Sequence, residues 1–321
     1  MPDLRIQRIN ESERLPLAAL MDEEEHRWQA ELDWDYSPIR RILDTLVARR
    51  ALPGLVAMEG RRAAGYTYFL IHNRRAVIGS AYARPPGAQA VVEALLAPAL
   101  EDLRGSTGIR RIEAQVMPLN GVDLDCIFLR HGFRRYLREY LELDLAAFGP
   151  SVHPGGAAEI VPWDSGYLRQ AAAVARRSYQ NEADALISED YGSDEGCEGY
   201  LRSLVEHPGC GVFLPEASFI ALDSAGAPCG FIISSRISAG AGMIPQISVA
   251  PSHQGLGLGS RLMARALQRM KEEGLRCARL TVTRDNRRAH AWYLRLGFAS
   301  RLTFGAYVWL RPSPPGRAGS K

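Results

Sequence analysis

Lysine is nearly missing from this chain: Lys271 and Lys321 are the two among 39 basic residues, and arginine supplies the rest. Against 36 acidic residues this leaves a formal net charge of +3. No basic run is long enough to form a nucleic-acid footprint, so no nucleic-acid partner is expected, and the arginine bias reads as codon composition. No stretch approaches the ~18 consecutive apolar residues of a membrane helix, which argues against a membrane partner. The first residues have neither an apolar core nor a small-residue cleavage site, so no secretion signal is expected and a cytoplasmic protein is predicted. The five cysteines, Cys126, Cys197, Cys210, Cys229 and Cys277, are odd in number, widely spaced and without a Cys-x-x-Cys pair. That pattern suits neither a disulfide framework nor a zinc site, and no metal is expected.

What is present is an ordinary globular composition, 46% apolar and 23% charged, over 321 residues, which is enough for two domains. The chain also repeats itself once. Phe128, Gly132 and Phe133 match Tyr293, Gly297 and Phe298, with Leu-Arg in both segments. Gly65 and Tyr66 match Gly230 and Phe231 at the same offset, while Pro85 and Gly108 match Pro251 and Gly274 one residue further on. The order is kept throughout, so two copies of one fold are predicted. The turn-forming stretch 148–156 is the natural boundary. The expected organisation is a first domain over 1–147, a second over 157–310 and a disordered Pro/Gly/Ser tail over 311–321.

In the second copy, apolar spacing predicts helices over 166–180 and 195–206, and strands over 159–161, 218–222 and 230–235. Residues 243–249 read as a strand made irregular by Pro245. A glycine-rich loop and an amphipathic helix ending at Gly274 follow. The copy then continues with a strand over 277–282, a short helix ending at Gly297 and a closing strand over 304–310. The loop carries the strongest chemical signal: Gln254, Gly255, Leu256, Gly257, Leu258, Gly259 and Ser260 join a strand directly to a helix. Glycine lets a phosphate lie close to main-chain N–H groups, and the helix start adds free donors and the positive end of its dipole. A nucleoside-triphosphate loop would end in Gly-Lys-Ser/Thr, whereas Gly259 and Ser260 are followed by Arg261. A dinucleotide fingerprint would have Gly-x-Gly-x-x-Gly early in a parallel sheet, and here three glycines alternate late in the domain.

The order of Gln254-x-x-Gly257-x-Gly259, helix, strand, then Asn286, Ala289, Trp292, Tyr293, Gly297 and Phe298, resembles the Gcn5-related N-acetyltransferase (GNAT) superfamily. Chains with two such copies are known there, mycothiol synthase-like acetyltransferases among them. The resemblance implies an α/β fold of two tandem domains, each a mixed, mostly antiparallel, splayed sheet flanked by helices. It also implies acetyl-CoA as cosubstrate, its pyrophosphate on the loop 254–260. Its pantetheine arm would lie along Ile247, Ser248 and Val249, with the Val249 N–H facing the thioester carbonyl. Asn286 is a helix cap that can also bond the pantetheine arm, and Tyr293 is the candidate general acid. Many relatives carry a glutamate base on the strand before the loop, yet residues 234–249 hold no acid. Glu182, Asp184, Glu189, Asp190 or a water relay are the alternatives.

The first copy keeps the landmarks but not the loop. It has one glycine, Gly87, where the second copy has three, then Gln89, Val91, Val92 and Glu93, and Phe128 stands where the second copy has Tyr293. Val91 and Val92 are expected near positions that need bare backbone, and the first copy is expected to have lost CoA binding. The predicted activity is direct acetyl transfer to a primary amine of a small molecule or a protein N-terminus, by a monomer or homodimer. A catalytically idle CoA sensor or scaffold, and transfer of a longer acyl group, are the alternatives.

Overall fold

In the computed structural model, which describes residues 4–11, 16–149 and 158–312, strands and helices are interspersed along the chain. In chain order the elements are β1 (Leu4–Arg8), α1 (Ala18–Leu32), α2 (Ser37–Ala48), β2 (Gly54–Glu59), β3 (Arg62–His72) and β4 (Arg75–Ala83). Next come α3 (Ala88–Gly105), β5 (Arg111–Ala114), α4 (Leu124–Arg130), β6 (Arg134–Asp144), β7 (Glu159–Pro162), α5 (Leu168–Tyr179) and α6 (Ala183–Ile187). The remainder is α7 (Asp194–Glu206), β8 (Val212–Phe213), β9 (Phe219–Leu222), β10 (Pro228–Arg236), β11 (Ala241–Val249), α8 (Leu258–Glu272), β12 (Cys277–Thr283), α9 (Arg287–Arg295) and β13 (Ala299–Leu310). No helix among the described residues is long and apolar enough to cross a membrane.

Two compact units form. One comprises Met1–Arg27, Arg41–Tyr136 and Gly305–Lys321, the other Trp28–Arg40 and Leu137–Phe304. They are therefore not the contiguous stretches 1–147 and 157–310. Residues 150–156 of the expected boundary stretch 148–156, and the tail from 313 onward, lie outside the described residues.

The first unit's sheet runs β1-β2-β3-β4-β5-β13, with β4–β5 its one parallel pair. α3 covers it because Val92, Leu95, Leu96, Ala99, Leu100 and Leu103 recur at helical spacing and are all buried. The sheet closes on residues from the far end of the chain: Tyr307–Leu310 of β13 pair with β5. The guanidinium groups of Arg104 and Arg311 both lie over the Trp309 ring, and Arg311 also donates to the carbonyls of Arg104, Ser106 and Ile109.

The second unit's sheet runs β7-β9-β10-β11-β12-β6, with β8 beside β10 and β11–β12 the parallel pair. Its last strand, β6, precedes the internal boundary in the sequence and pairs with β12 along the whole of Cys277–Thr283. α8 packs on one face through Leu258, Leu262, Met263, Ala266, Leu267 and Met270. α5 and α7 cover the other through Leu168, Ala171, Ala175, Cys197, Leu201 and Leu204. Arg279, 2% exposed, holds the β12–β6 side: its Nε donates to Glu142 at 2.7 Å, its Nη1 donates to the Leu32 carbonyl, and its guanidinium lies over Tyr140. A charge buried this deeply persists only because it is paired and hydrogen-bonded.

The repeat seen in the sequence is visible in the capping. In α4, Phe133 N–H donates to Phe128 O and Gly132 N–H to Leu129 O; in α9, Phe298 N–H donates to Tyr293 O and Gly297 N–H to Leu294 O. Both helices thus end in the same double-bonded left-handed cap. The fold class is as expected, a mixed, mostly antiparallel and locally splayed sheet with helices on its faces.

Candidate functional site

The site begins where two parallel strands part. β11 pairs with β12 only at Ala241–Met243 against Cys277–Arg279. Beyond Met243, β11 stays with β10 but shifts register between Ile233 and Ser235, so that an extra β11 residue bulges out near Pro245. A proline cannot donate to a ladder, and a bulge bends its strand, which is why the sequence irregularity and the splay coincide. Ala250 N–H donates back to Cys229 O, so the main-chain groups of Val249, and of Ile247 one period earlier, face away from β10 into the gap.

At the end of β11 the chain makes a short turn over Pro251–His253 and enters α8 at Gly257. Gly257 has φ +76°, and no side chain caps the helix. A Cβ there would meet no atom within 4 Å and would project into open space. The free N–H groups of the first turn and the positive end of the helix dipole therefore meet a vacant, sterically bare surface. Gln254 ties this loop down: its Nε2 donates to Val249 O at 2.9 Å and its Oε1 accepts from Arg288 Nη2 at 2.7 Å.

α9 supplies the third wall. Asn286 caps it, its Oδ1 accepting from Ala289 N–H at 3.2 Å, as the sequence predicts. Tyr293 is 8% exposed, its ring 4.9 Å from that of Trp292 and 5.9 Å from that of Phe298. Burial, reinforced by Tyr179 and Asp184 and opposed by the Arg138 guanidinium, pushes its phenol well above the ordinary range. The hydroxyl therefore keeps its proton throughout neutral and moderately alkaline pH.

These walls enclose one cleft of about 410 Å³. Of the residues singled out in the sequence, Ile247, Ser248, Val249, Gln254, Gly255, Gly257, Leu258, Gly259, Ser260, Asn286 and Tyr293 all line it. Leu256 does not: its side chain is 68% exposed at the loop tip, because the alternation of the glycine loop turns it to solvent. Sequence reasoning missed Ser178, Tyr179 and Arg295, which also line the cleft. No local motif marks Ser178 and Tyr179, which arrive from the end of α5.

Deeper in the second unit lies a tyrosine cluster. Tyr179 stacks on Tyr191 at 4.1 Å, and Tyr191 meets Tyr200 edge-on at 5.6 Å. Burial raises all three phenols above their usual range, while Arg138 opposes the rise. Tyr191 donates to Gln246 Oε1 at 2.9 Å, and Gln246 Nε2 donates to Ser248 Oγ at 2.9 Å. Gln246 is thus bound at both ends of its amide and, being neutral, supplies no base. Of the four loop acids, Glu182 lines the cleft. The Asp184 carboxylate accepts from Thr283 Oγ1 at 2.7 Å and Asn286 Nδ2 at 3.4 Å, and lies 3.6 Å from Arg138 Nη2.

The first unit shows the same frame filled differently. Gly87, φ +86°, starts α3 as Gly257 starts α8. Two residues past the cap, however, α8 has Gly259 and α3 has Gln89. The Gln89 amide takes the Asp123 N–H at 2.7 Å and donates to Asp123 O at 3.1 Å, joining the start of α3 to the cap of α4. Asn120 Nδ2 donates to Ala83 O at the end of β4. Phe128 stacks on Tyr307 at 4.3 Å. Val91 and Val92 are not at the loop as expected: the helix starts at Ala88, two residues before the start at Ala90 that the sequence predicts, and both valines lie in the core. Glu93 pairs with Arg130 at 2.6 Å.

Comparison with known proteins places this geometry. Residues 183–298 match the model of the acetyltransferase (GNAT) family. No curated protein sequence matches the chain significantly. Among solved structures, a GCN5-related N-acetyltransferase from Sphaerobacter thermophilus is similar over 98% of both chains, with a TM-score of 0.70 at 14% identity. A tandem GNAT protein from the clavulanic acid biosynthesis pathway matches over 98% of this chain and 100% of its own, with a TM-score of 0.60 at 17% identity. A GCN5-related glucosamine N-acetyltransferase region in a fungal multi-domain β-N-acetylglucosaminidase matches 96% of this chain and 38% of its own, with a TM-score of 0.65 at 14% identity. Residues 183–298 thus match the acetyltransferase (GNAT) family, in a chain with the fold of the tandem GNAT proteins.

Proposed function

We propose that this protein is an acetyl-CoA-dependent N-acetyltransferase with one working site, in the second unit, which moves an acetyl group directly to a primary amine. The observation that carries this reading is the meeting, in a single cleft, of the main chain of β11, the uncapped start of α8 and the Tyr293 side chain. The residues present fit the cosubstrate: bare amides at 257–260 for a diphosphate, Arg288 beside them for negative charge, and outward-facing groups of Ile247 and Val249 for the amides of a pantetheine arm. When bound, acetyl-CoA supplies an electrophilic thioester carbonyl.

The chain's own groups do the rest. Val249 N–H points where a carbonyl oxygen gaining negative charge can accept it. Tyr293, held protonated by its burial, donates to a departing thiolate. Asn286 keeps α9 capped, and so keeps Tyr293 in place. In the first unit, Gln89 stands where the second unit has Gly259 and binds Asp123 through its amide, and Phe128 has no hydroxyl. We infer that this unit has kept the fold and given up CoA binding.

The reading is tested by thiol release from acetyl-CoA with a panel of primary amines: amino sugars, polyamines and peptides with a free N-terminus. Release that depends on the amine, and falls as the acyl chain is lengthened beyond acetyl, is the expected result. CoA binding without turnover on any amine would establish the idle sensor instead.

A further inference from the structure

The proposed reaction needs a proton acceptor, and neither β11 nor the glycine loop provides one. A primary amine reaches the site at neutral pH as an ammonium ion with no lone pair to attack. Gln246 is neutral and bonded at both ends of its amide. Asp184 is engaged on both oxygens, Oδ1 by Thr283 and Arg138 and Oδ2 by Asn286, so its role is to fasten α6 to β12 and to the cap of α9. Asp190 Oδ2 accepts from Ser188 Oγ at 2.9 Å in the following turn. Neither Asp190 nor Glu189 lines the cleft.

Glu182 differs from all of these. It stands just after the left-handed residue Asn181 (φ +71°), and its N–H donates to Tyr179 O at 3.0 Å. This tight turn at the end of α5 sets Glu182 on the cleft wall with Ser178 and Tyr179, in the same cavity as Tyr293 and Val249. It is half-buried, and among the described residues no hydrogen bond or ion pair engages its carboxylate. The other titratable groups lining the cleft are Tyr179, His253, Arg288, Tyr293 and Arg295. Among the described residues, Glu182 is thus the single acidic residue lining the cleft, on the α5–α6 side of the unit.

Resting on the acetyltransferase reading above, we propose that Glu182 is the general base that accepts the ammonium proton of a cationic primary-amine acceptor. The accounting closes without a further reactant. The ammonium gives one proton to the Glu182 carboxylate, which later loses it to solvent. The freed nitrogen lone pair forms the C–N bond at the thioester carbonyl. The C–S bond then breaks, its electron pair leaves on sulfur, and the sulfur takes a proton from the Tyr293 phenol. The second nitrogen proton returns to the Tyr293 oxygen, leaving amide, thiol and unchanged enzyme.

The test uses the full chain and the best amine of the panel, with Glu182→Gln, Glu182→Asp and, as a surface control, Glu189→Gln. At neutral pH, Glu182→Gln is expected to lower kcat by about 10²–10⁴-fold, the usual range for a lost acid–base group. Its rate should recover as pH rises toward the pKa of the amine itself, because solvent then does the deprotonation. Glu182→Asp should keep part of the rate, Glu189→Gln all of it, and CoA affinity by calorimetry should stay the same in all three. A wild-type rate and pH profile in Glu182→Gln would overturn the assignment while leaving the acetyltransferase reading intact. Loss of CoA affinity in that variant would overturn it too, by making Glu182 a binding or structural residue. Failure of the wild-type protein on every amine would remove the reading on which the assignment rests.

Discussion

Replacing Tyr293 by Phe is expected to cut kcat by about 10²–10⁴-fold, the contribution typical of a positioned proton donor. The change removes one oxygen from a ring that is already buried against Trp292 and Phe298, so the packing is retained and neither KM for acetyl-CoA nor thermal stability should move much. The sign of the pH effect follows from the same burial. Desolvation disfavours the phenolate, so the neutral donor persists above the ordinary phenol range. The wild-type rate should therefore show no alkaline fall near pH ~10 from this group. Steady-state kinetics of the two proteins across pH check both points. The first unit has already made this replacement, with Phe128 at the matching place.

Cutting the chain at its apparent domain boundary is expected to destroy the fold of the second unit. A fragment over 157–310 would lack β6, and with it the whole antiparallel ladder along β12. It would also lack Leu141, Leu143 and Leu145, all buried, and leave the core of the unit without their side chains. At about 1.5–3 kcal/mol for each fully buried leucine, these three side chains alone account for about 5–9 kcal/mol. That is comparable with the total stability of about 5–15 kcal/mol of a typical domain. The same cut strands Arg279 as a buried cation without Glu142 and without the Leu32 carbonyl. Thermal unfolding followed by circular dichroism should show a cooperative transition for the full chain and none for the fragment. A fragment that melts cooperatively would contradict the assignment of β6 to the second unit.

This exchange of strands marks the limit of what the sequence shows. Repeat landmarks such as Gly132 and Gly297 report a local cap, which depends on neighbouring residues, so they were legible. Pro245 announces an irregular strand for the same reason. Which β12 edge a later or earlier strand will occupy depends on pairing across more than a hundred residues, and β6 reads alike in either sheet. The site divides in the same way. The glycine loop, Asn286 and Tyr293 lie on one continuous segment with recognisable spacing. Ser178 and Tyr179 come from a helix end, and Arg138 comes from the strand contributed by the other half of the sequence, so no spacing points to them. Leu256 was drawn in by its neighbours in the motif, and strict alternation around Gly257 turns it to solvent. In the first unit the helix begins at Ala88 because Gly87 alone can adopt the left-handed cap, which moves the valines out of the loop and makes Gln89 the residue that fills it.

The most direct test is a calorimetric titration of the full chain with coenzyme A, in the wild-type protein and in Gly257→Val and Gly87→Val. One site per chain is expected. Gly257→Val should weaken it by about 1–3 kcal/mol, roughly 5- to 150-fold, by straining the left-handed cap and turning the α8 amides away from the diphosphate. Gly87→Val should strain α3 while leaving the CoA affinity alone. Two sites per chain, no binding at all, or unchanged affinity in Gly257→Val would contradict the account.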